Sequence, residues 1–571
     1  MVLRGGTVVD GTGAAARLAD VVIESGRIVA VSDPATEPDG DATVLDVSGM
    51  VVAPGFVDPH THYDAQIHWD PLASPSNVHG VTTIIGGNCG FSLAPLRPAD
   101  AGYIREMMAK VEGMPLLALE KGVEWSWSSF AEYLDLLEGK VSVNAGFLVG
   151  HSAIRRFVLG ADGQREATAD EIATMVDELR AAIDAGGLGF STSLAFTHSD
   201  GDGVPVTSRF ASREEILALC AEVSRHDGTS LEFVMDGCLN SYSDAEVELA
   251  VEMALAGQRP MNWNVLTPDT AKPDDYRRQL EPSRRAAERG GKIVALTMPT
   301  LAGMTQSLLT HCGLWLLPGW GTVMRLPLEQ KLEYLGQSGV RHMLRELAAS
   351  ETGALKRLTS WPLYEIGDTF SAENEGLKGR VIADIAAERG EDPFDCLVRI
   401  ALNDRLQTIL WPLPPDDDDA SWALRKVVWD EPDVILGGSD AGAHLDRMLG
   451  SNYPTRFLAD CIRGRKLVGL ERAVQMLTRV PAQLFGLADR GVVRRGAIAD
   501  LVVFDPNTID SAPVSMVHDL PGGTPRLYAG SVGVEHVFVN GVETISAGVP
   551  TGATPGVVLR SGRDTVTPSL T

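Results

Sequence analysis

Residues 53–62 read APGFVDPHTH, a short apolar run that ends in Asp58-Pro59 and then two histidines, His60 and His62. Alternate side chains of an extended strand point the same way, so both imidazoles leave the strand end on one face and can grip a single metal ion. A histidine pair is common by chance in a chain of this length, and its position directly after an apolar strand is what gives it weight. Seven similar runs follow: VTTIIGG (81–87), NAGFLVGH (144–151), LGFSTSL (188–194), TSLEFV (229–234), PMNWNVL (260–266), KIVALTMP (292–299) and DVILGGSD (433–440). Amphipathic segments lie between several of them, such as TADEIATMVDELRAAIDAGG (168–187) and SREEILALCAEVSRHDG (212–228). Eight strands alternating with helices predict an α/β fold, a (β/α)8 TIM-like barrel over 55–485 whose chemistry sits at the C-terminal strand ends. The gap between the seventh and eighth strands is too long for one crossover and predicts an insertion around 300–430.

Outside the barrel both ends of the chain are β-rich. Residues 1–54 and 486–571 alternate β-branched with polar residues between glycine-containing turns, the pattern of antiparallel hairpins. They are expected to form one composite β-domain. The acidic run PPDDDD (414–419) reads as a solvated loop.

The eighth run ends in GGSDAGAH (437–444), and in a closed barrel it lies beside the first. Asp440 is thereby expected to meet His60 and His62, as ligand and as general base for a metal-activated water. The competing reading is an Asp that caps the next helix. Other polar residues fall near strand ends: His151 and Arg155 in GHSAIRR, His198 and Arg209 in the loop 196–209, His68 and Trp69 after the first strand, and His444 after the eighth; His151 reads equally as a group that polarises a substrate carbonyl or supports a ligand and as a buried structural histidine. Any of the arginines could hold a substrate carboxylate through a bidentate contact. The glycines of GGNCG (86–90) lack the GK[ST] of a phosphate loop.

Composition narrows the partners. Lys+Arg 49 against Asp+Glu 76 gives a net charge of −27, which repels phosphate backbones and anionic headgroups, so neither nucleic acid nor membrane is expected. No run of about 18 apolar residues and no signal-like leader is found, which predicts a cytoplasmic protein. Six cysteines without CxxC spacing, Cys89, Cys220, Cys238, Cys312, Cys396 and Cys461, read as reduced thiols.

AxGFVDPHTH, GSDAGAH and, in the tail, RGAIADLVVFDP (495–506) together resemble the amidohydrolase superfamily. Within it, GVTTIIGGNCGFSLAP (80–95) and VGHSAIR (149–155) are similar to the D-aminoacylase branch, the N-acyl-D-amino-acid deacylases. The resemblance implies a zinc ligand at Cys89, a residue otherwise read as a buried thiol. It also implies histidines at the ends of strands five and six, where this chain has Phe233 and Val265, with Glu232 and Asn264 one residue earlier. The expected centre is therefore a single divalent ion, Zn2+ by resemblance, on His60, His62 and Asp440, with Cys89 as fourth ligand or neighbour. Glu232 or Asn264 would complete the pocket, favour a harder ion, or rebuild a second metal position. The implied activity is hydrolysis of a non-peptide C–N amide bond in an N-acyl-D-amino acid. The alternatives are a single-metal hydrolase of a cyclic amide, lactone or carbamate, and a catalytically silent scaffold. The implied partner is a small molecule, with self-association into a homo-oligomer.

Overall fold

The computed structural model describes residues 1–34, 43–301, 303–309, 313–352, 354–414 and 416–570. Cys312 and Pro415 of the acidic run lie outside the described residues.

Eight strands run parallel in chain order. They are Phe56–Asp58, Val81–Gly86, Asn144–Phe147 resumed at Val149–Gly150, Gly189–Ser193, Ser230–Val234, Met261–Trp263, Ile293–Thr297 and Val434–Leu436. Strands one to three pair with one another, and the ladder from Val149–Gly150 runs on through strands four to seven to the eighth. The ring closes where the first strand meets the eighth: Thr61 bridges Ala441, and His62 N donates to Ala441 O at 2.7 Å. These runs are short and apolar because a parallel barrel strand is covered on both faces. The helices between them open on sequence-encoded caps. Thr168 and Glu171 form a reciprocal capping box at Ala169–Asp184, and Ser212 caps Arg213–Val223.

A nine-stranded sheet draws on both ends of the chain. Its order is Val549–Pro550, Val542–Ser546, Val534–Val539, Leu501–Phe504, Val51–Pro54, Val2–Val8, Arg17–Glu24, Arg27–Ser32, with Val44–Asp46 also on Val2–Val8. Two-residue turns at Ser25-Gly26, Asn540-Gly541 and Ala547-Gly548, all at positive φ, make three tight hairpins. The N-terminal part is not wholly antiparallel as its hairpin pattern predicts: Val2–Val8 pairs parallel with both Val44–Asp46 and Val51–Val52. The physical reason is delivery. Val51–Pro54 must run straight on into the first barrel strand at Phe56, and Leu501–Phe504 takes its other edge antiparallel.

Part of the C-terminal segment leaves the sheet. Its last stretch crosses the N-terminal strand ends, with Ala145 N donating to Val557 O at 3.0 Å and Thr565 Oγ1 to Gly228 O at 2.6 Å. Leu559 is fully buried there in one cluster with Val57, Ile85, Leu148, Leu296, Leu484 and Phe485.

The chain divides into two compact units, Met1–Thr300 with Ala423–Leu445 and Gly450–Thr571, and Leu301–Trp422 with Asp446–Leu449. The second has its own core, centred on Trp320, Trp361 and Phe394, whose rings lie 4.7–5.7 Å apart. The acidic run is not a free loop. Asp418 accepts from Ala420 N and Ser421 N at 2.9 and 3.0 Å and opens the helix Asp419–Trp429, while Asp417 accepts from Trp422 Nε1. Unpaired helix-start N–H groups recruit the nearest carboxylate.

Candidate metal centre

The turn after the second strand is held from several sides. At Gly87 (φ 72) a Cβ would stand 2.0 Å from Leu148 O, and at Gly90 (φ 72) 2.8 Å from Ser193 N, so only glycine fits at either. Asn88 Nδ2 donates to Thr61 O and Ile85 O at 3.1 and 2.9 Å, and Gly90 N to Ser191 Oγ at 3.1 Å. Between them Cys89 is locked in a left-handed conformation (φ 55), and its N–H donates to Glu232 Oε2 at 2.9 Å. The result places Cys89 Sγ 3.5 Å from His60 Nε2.

Asp440 is presented in the same way. Ser439 Oγ donates to Asp58 Oδ2 and accepts from Ala441 N, tying the eighth strand to the first. Asp440 itself has φ 51, and its Oδ1 lies 3.3 Å from His60 Nε2 and 3.9 Å from His62 Nε2. Asn264 Nδ2 donates to the same oxygen at 3.0 Å.

Nε2 of His60, Nε2 of His62 and Sγ of Cys89 fit together as a ligand group: His60, His62 and Cys89 offer donor atoms all within 4.8 Å of one another. Donors on a tetrahedral ion at the usual zinc distances stand about 3.3–3.8 Å apart. The 3.3 and 3.5 Å separations at His60 Nε2 lie in that range, and the 3.9 Å at His62 is just outside it. Among the described residues, buried His60 Nδ1, His62 Nδ1, Glu232 Oε1 and Asn264 Oδ1 have no hydrogen-bond partner. Electrostatics agree with a cation. Burial, then His198, pushes His60 down to about 3, and burial pushes His62 well down too, so both imidazoles stay neutral, the form that binds metal. Burial pushes Cys89 up, with Glu232, Glu112 and Asp440 adding to it; burial and then Asp440 push Glu232 up. Asp440 is pushed up to about 7 by burial and then Asp58. A thiol and carboxyls crowded out of water ionise together only beside a positive charge.

Glu232 and Asn264 stand beside the group. Phe233 packs its ring toward Tyr242, 6.4 Å between centroids, so in strand five it is Glu232 that turns to Cys89. His198 is at the same mouth, its Nδ1 2.6 Å from Ser193 Oγ and its ring 5.2 Å from Phe91. Arg209 Nη1 donates to Phe196 O and His198 O at 3.3 and 3.5 Å and braces that loop; among the described residues it has no ion-pair partner. His444, also left-handed (φ 52), donates its backbone N–H to Glu112 O, and its charge bears on His62.

Two residues expected near substrate belong to the scaffold. His151 uses both ring nitrogens, with Thr192 Oγ1 at 2.8 Å and Glu215 Oε1 at 2.7 Å, and Arg155 pairs with the same fully buried carboxylate. Arg155 also donates to Gly163 O and Arg165 O, leaving no bidentate fork for a ligand. His68 stacks on Trp127, 5.2 Å between centroids, and Trp69 packs against Ala118, Leu445 and Leu520. One residue at the cluster escapes sequence reading. Glu112 follows the helix Ala101–Val111, is buried, and places Oε2 3.6 Å from His62 Nε2. No strand register points to it, and only the tertiary path of that helix does.

Comparison with known proteins supports the same architecture. The sequence model of the Amidohydrolase family, Amidohydro_3, matches residues 43–549. A D-aminoacylase of Alcaligenes xylosoxydans xylosoxydans is 30% identical over 98% of this chain and 97% of its own. The solved N-acyl-D-glutamate deacylase of Bordetella bronchiseptica, complexed with zinc and a phosphonate inhibitor that mimics the tetrahedral intermediate, superposes with a TM-score of 0.63 at 26% identity, covering 98% and 99% of the two chains. A D-aminoacylase structure, described as having a binuclear metal centre with one-metal activation and second-metal attenuation, gives 0.62 at 27% identity and the same coverage. Among the described residues no helix is long and apolar enough to cross a membrane. The family match spans the barrel and part of the composite sheet, and the D-aminoacylase relative aligns over nearly the whole chain, so the likeness is not a local motif: this chain belongs to the amidohydrolase family.

Proposed function

We propose that the protein is a metal-dependent hydrolase of a non-peptide C–N amide bond whose substrate is an N-acyl-D-amino acid. The observation that carries this is the convergence of His60, His62, Cys89 and Asp440 from the ends of the first, second and eighth strands. They would hold one divalent ion, zinc by donor type, with Glu232 and Asn264 completing the pocket or supporting a second. Such an ion, when bound, polarises a scissile carbonyl and makes water acidic enough to attack near neutral pH.

The chain's own residues supply the rest. Asp440 is the member of the cluster open to solvent, its side chain 25% exposed, so it can reach an attacking water. It accepts the proton from that water and returns it to the leaving nitrogen, and Asn264 fixes which way its carboxylate faces. Arg209, with no ion-pair partner among the described residues, is the cation for the substrate carboxylate, and His198 lies between it and the centre.

The five described cysteines are all free thiols, which supports a cytoplasmic setting, and a homo-oligomer is part of the proposal. The test is a panel of N-acyl-D- and N-acyl-L-amino acids with wild type and Asp440→Asn. Hydrolysis of the D series alone, lost in the variant, is expected. Turnover of cyclic amides, lactones or carbamates in its place would overturn the substrate assignment.

A further inference from the structure

Glu112 takes no part in the proton transfers assigned to Asp440, yet the end of the helix Ala101–Val111 brings its carboxylate to the cluster. Its side chain is only 4% exposed, and its Oε2 stands 3.6 Å from His62 Nε2. Which nitrogen it faces decides its role. A carboxylate that only orients a ligating imidazole bonds the ring nitrogen turned away from the metal. Glu112 faces Nε2, the nitrogen that also faces Asp440 Oδ1 at 3.9 Å, while buried His62 Nδ1 has no partner among the described residues. Orientation of His62 by Glu112 is therefore the wrong geometry; Glu112 and Asp440 each face the same ring nitrogen, the one free to bind an ion. The backbone holds Glu112 there as well, through the bond from His444 N to Glu112 O.

The cluster thus has two sides. Cys89 and His60 face each other at 3.5 Å with Glu232 behind Cys89, and His62 faces Glu112 at 3.6 Å; Asp440 Oδ1 reaches both histidines. We propose that Glu112 is a metal ligand on the His62 side of the centre, delivered from outside the barrel strands. This rests on the metal-dependent reading above and extends it: strands five and six offer Glu232 and Asn264 but no imidazole, and the donor count on the other side is made up by a helix-borne carboxylate. An ion on that side meets one nitrogen and two carboxylates, a harder set than one containing Cys89, and accepts Mn2+, Co2+ or Zn2+.

The test is titration of the metal-free full-length protein with Co2+. Affinity is read by competition with a chromophoric chelator, the thiolate-to-cobalt band reports Cys89, and the visible ligand-field bands report the oxygen and nitrogen donors. Glu112→Gln is expected to weaken Co2+ binding by at least about tenfold, the lower end of what loss of even an orienting partner costs a metal site. It should also shift the visible bands while the thiolate band persists. Glu106→Gln, on the exposed face of the same helix, should match wild type. If Glu112→Gln does not fold, Glu112→Asp keeps the charge and withdraws it by one methylene, with the same outcomes expected. Wild type that binds no Co2+ overturns the metal reading itself. Wild type that binds it, a His60→Ala variant that loses it, and a Glu112 variant equal to wild type in affinity and spectrum overturn the Glu112 assignment alone.

Discussion

At the C-terminal strand ends, Cys89 and Asp440 hold left-handed backbone, and several buried polar atoms have no hydrogen-bond partner among the described residues. At the N-terminal ends, the crossing tail is hydrogen-bonded to Ala145, Gly186 and Gly228, and fully buried Leu559 packs with Leu484 and Phe485. One end spends conformational energy and gathers carboxylates, imidazoles and a thiol that suit a cation; the other is held by an apolar cluster and by Asn144, whose amide donates to Asp500, itself ion-paired with buried Arg490. This barrel thus keeps stability and chemistry at opposite ends, as parallel barrels do, and substitutions should separate accordingly.

The largest expected separation is at Asp440. Asp440→Asn keeps the shape and the backbone but removes the proton acceptor, and kcat should fall by about 10^2–10^4, the usual contribution of a positioned acid–base group, measured by steady-state hydrolysis. Its thermal midpoint should stay close to that of wild type. The scaffold under the mouth should do the opposite. Glu215→Ala strands buried Arg155 and His151 and should cost about 3–5 kcal/mol of stability in denaturant unfolding, with loss of activity only as folded protein is lost. At the far end, Leu559→Ala opens a cavity and should cost about 2–5 kcal/mol while leaving kcat unchanged.

The smallest effect is the most informative about strain. A non-glycine residue at φ 51 costs about 1–2 kcal/mol, so Asp440→Gly should raise the stability of metal-free protein by about 1 kcal/mol and abolish turnover. A stability loss instead would mean that Asp440 is a structural cap and that the two ends do not divide the work.

Those contrasts track what could be read from the residues. The barrel strands were legible because each is a short apolar run with its own punctuation, and the His60, His62 and Asp440 corner because HxH and GGSD sit where neighbouring strands end. The side of the centre at strand five was half legible: a one-residue difference in register separates Glu232, which turns to Cys89, from Phe233, which turns to Tyr242. At His151 and Arg155 the residues alone leave the substrate and scaffold readings open, because Glu215, which occupies both, lies 64 and 60 residues away in sequence. Glu112 was invisible for the same reason, since its approach to His62 depends on where a helix ends in space. The parallel pairing of Val2–Val8 likewise follows from the sheet as a whole, in which Val51–Pro54 lies between it and Leu501–Phe504 from the other end of the chain.

Everything chemical at this mouth depends on His60, His62, Cys89 and Asp440 holding a metal ion. Elemental analysis of protein purified without added metal or chelator, beside a His60→Ala/Asp440→Ala double variant, measures that occupancy. About one divalent ion per chain is expected in wild type, rising toward two if the Glu112 side fills, and none in the variant. Wild type that contains no ion even after supplementation with Zn2+, Co2+ or Mn2+ would contradict it and leave a catalytically silent member of the family.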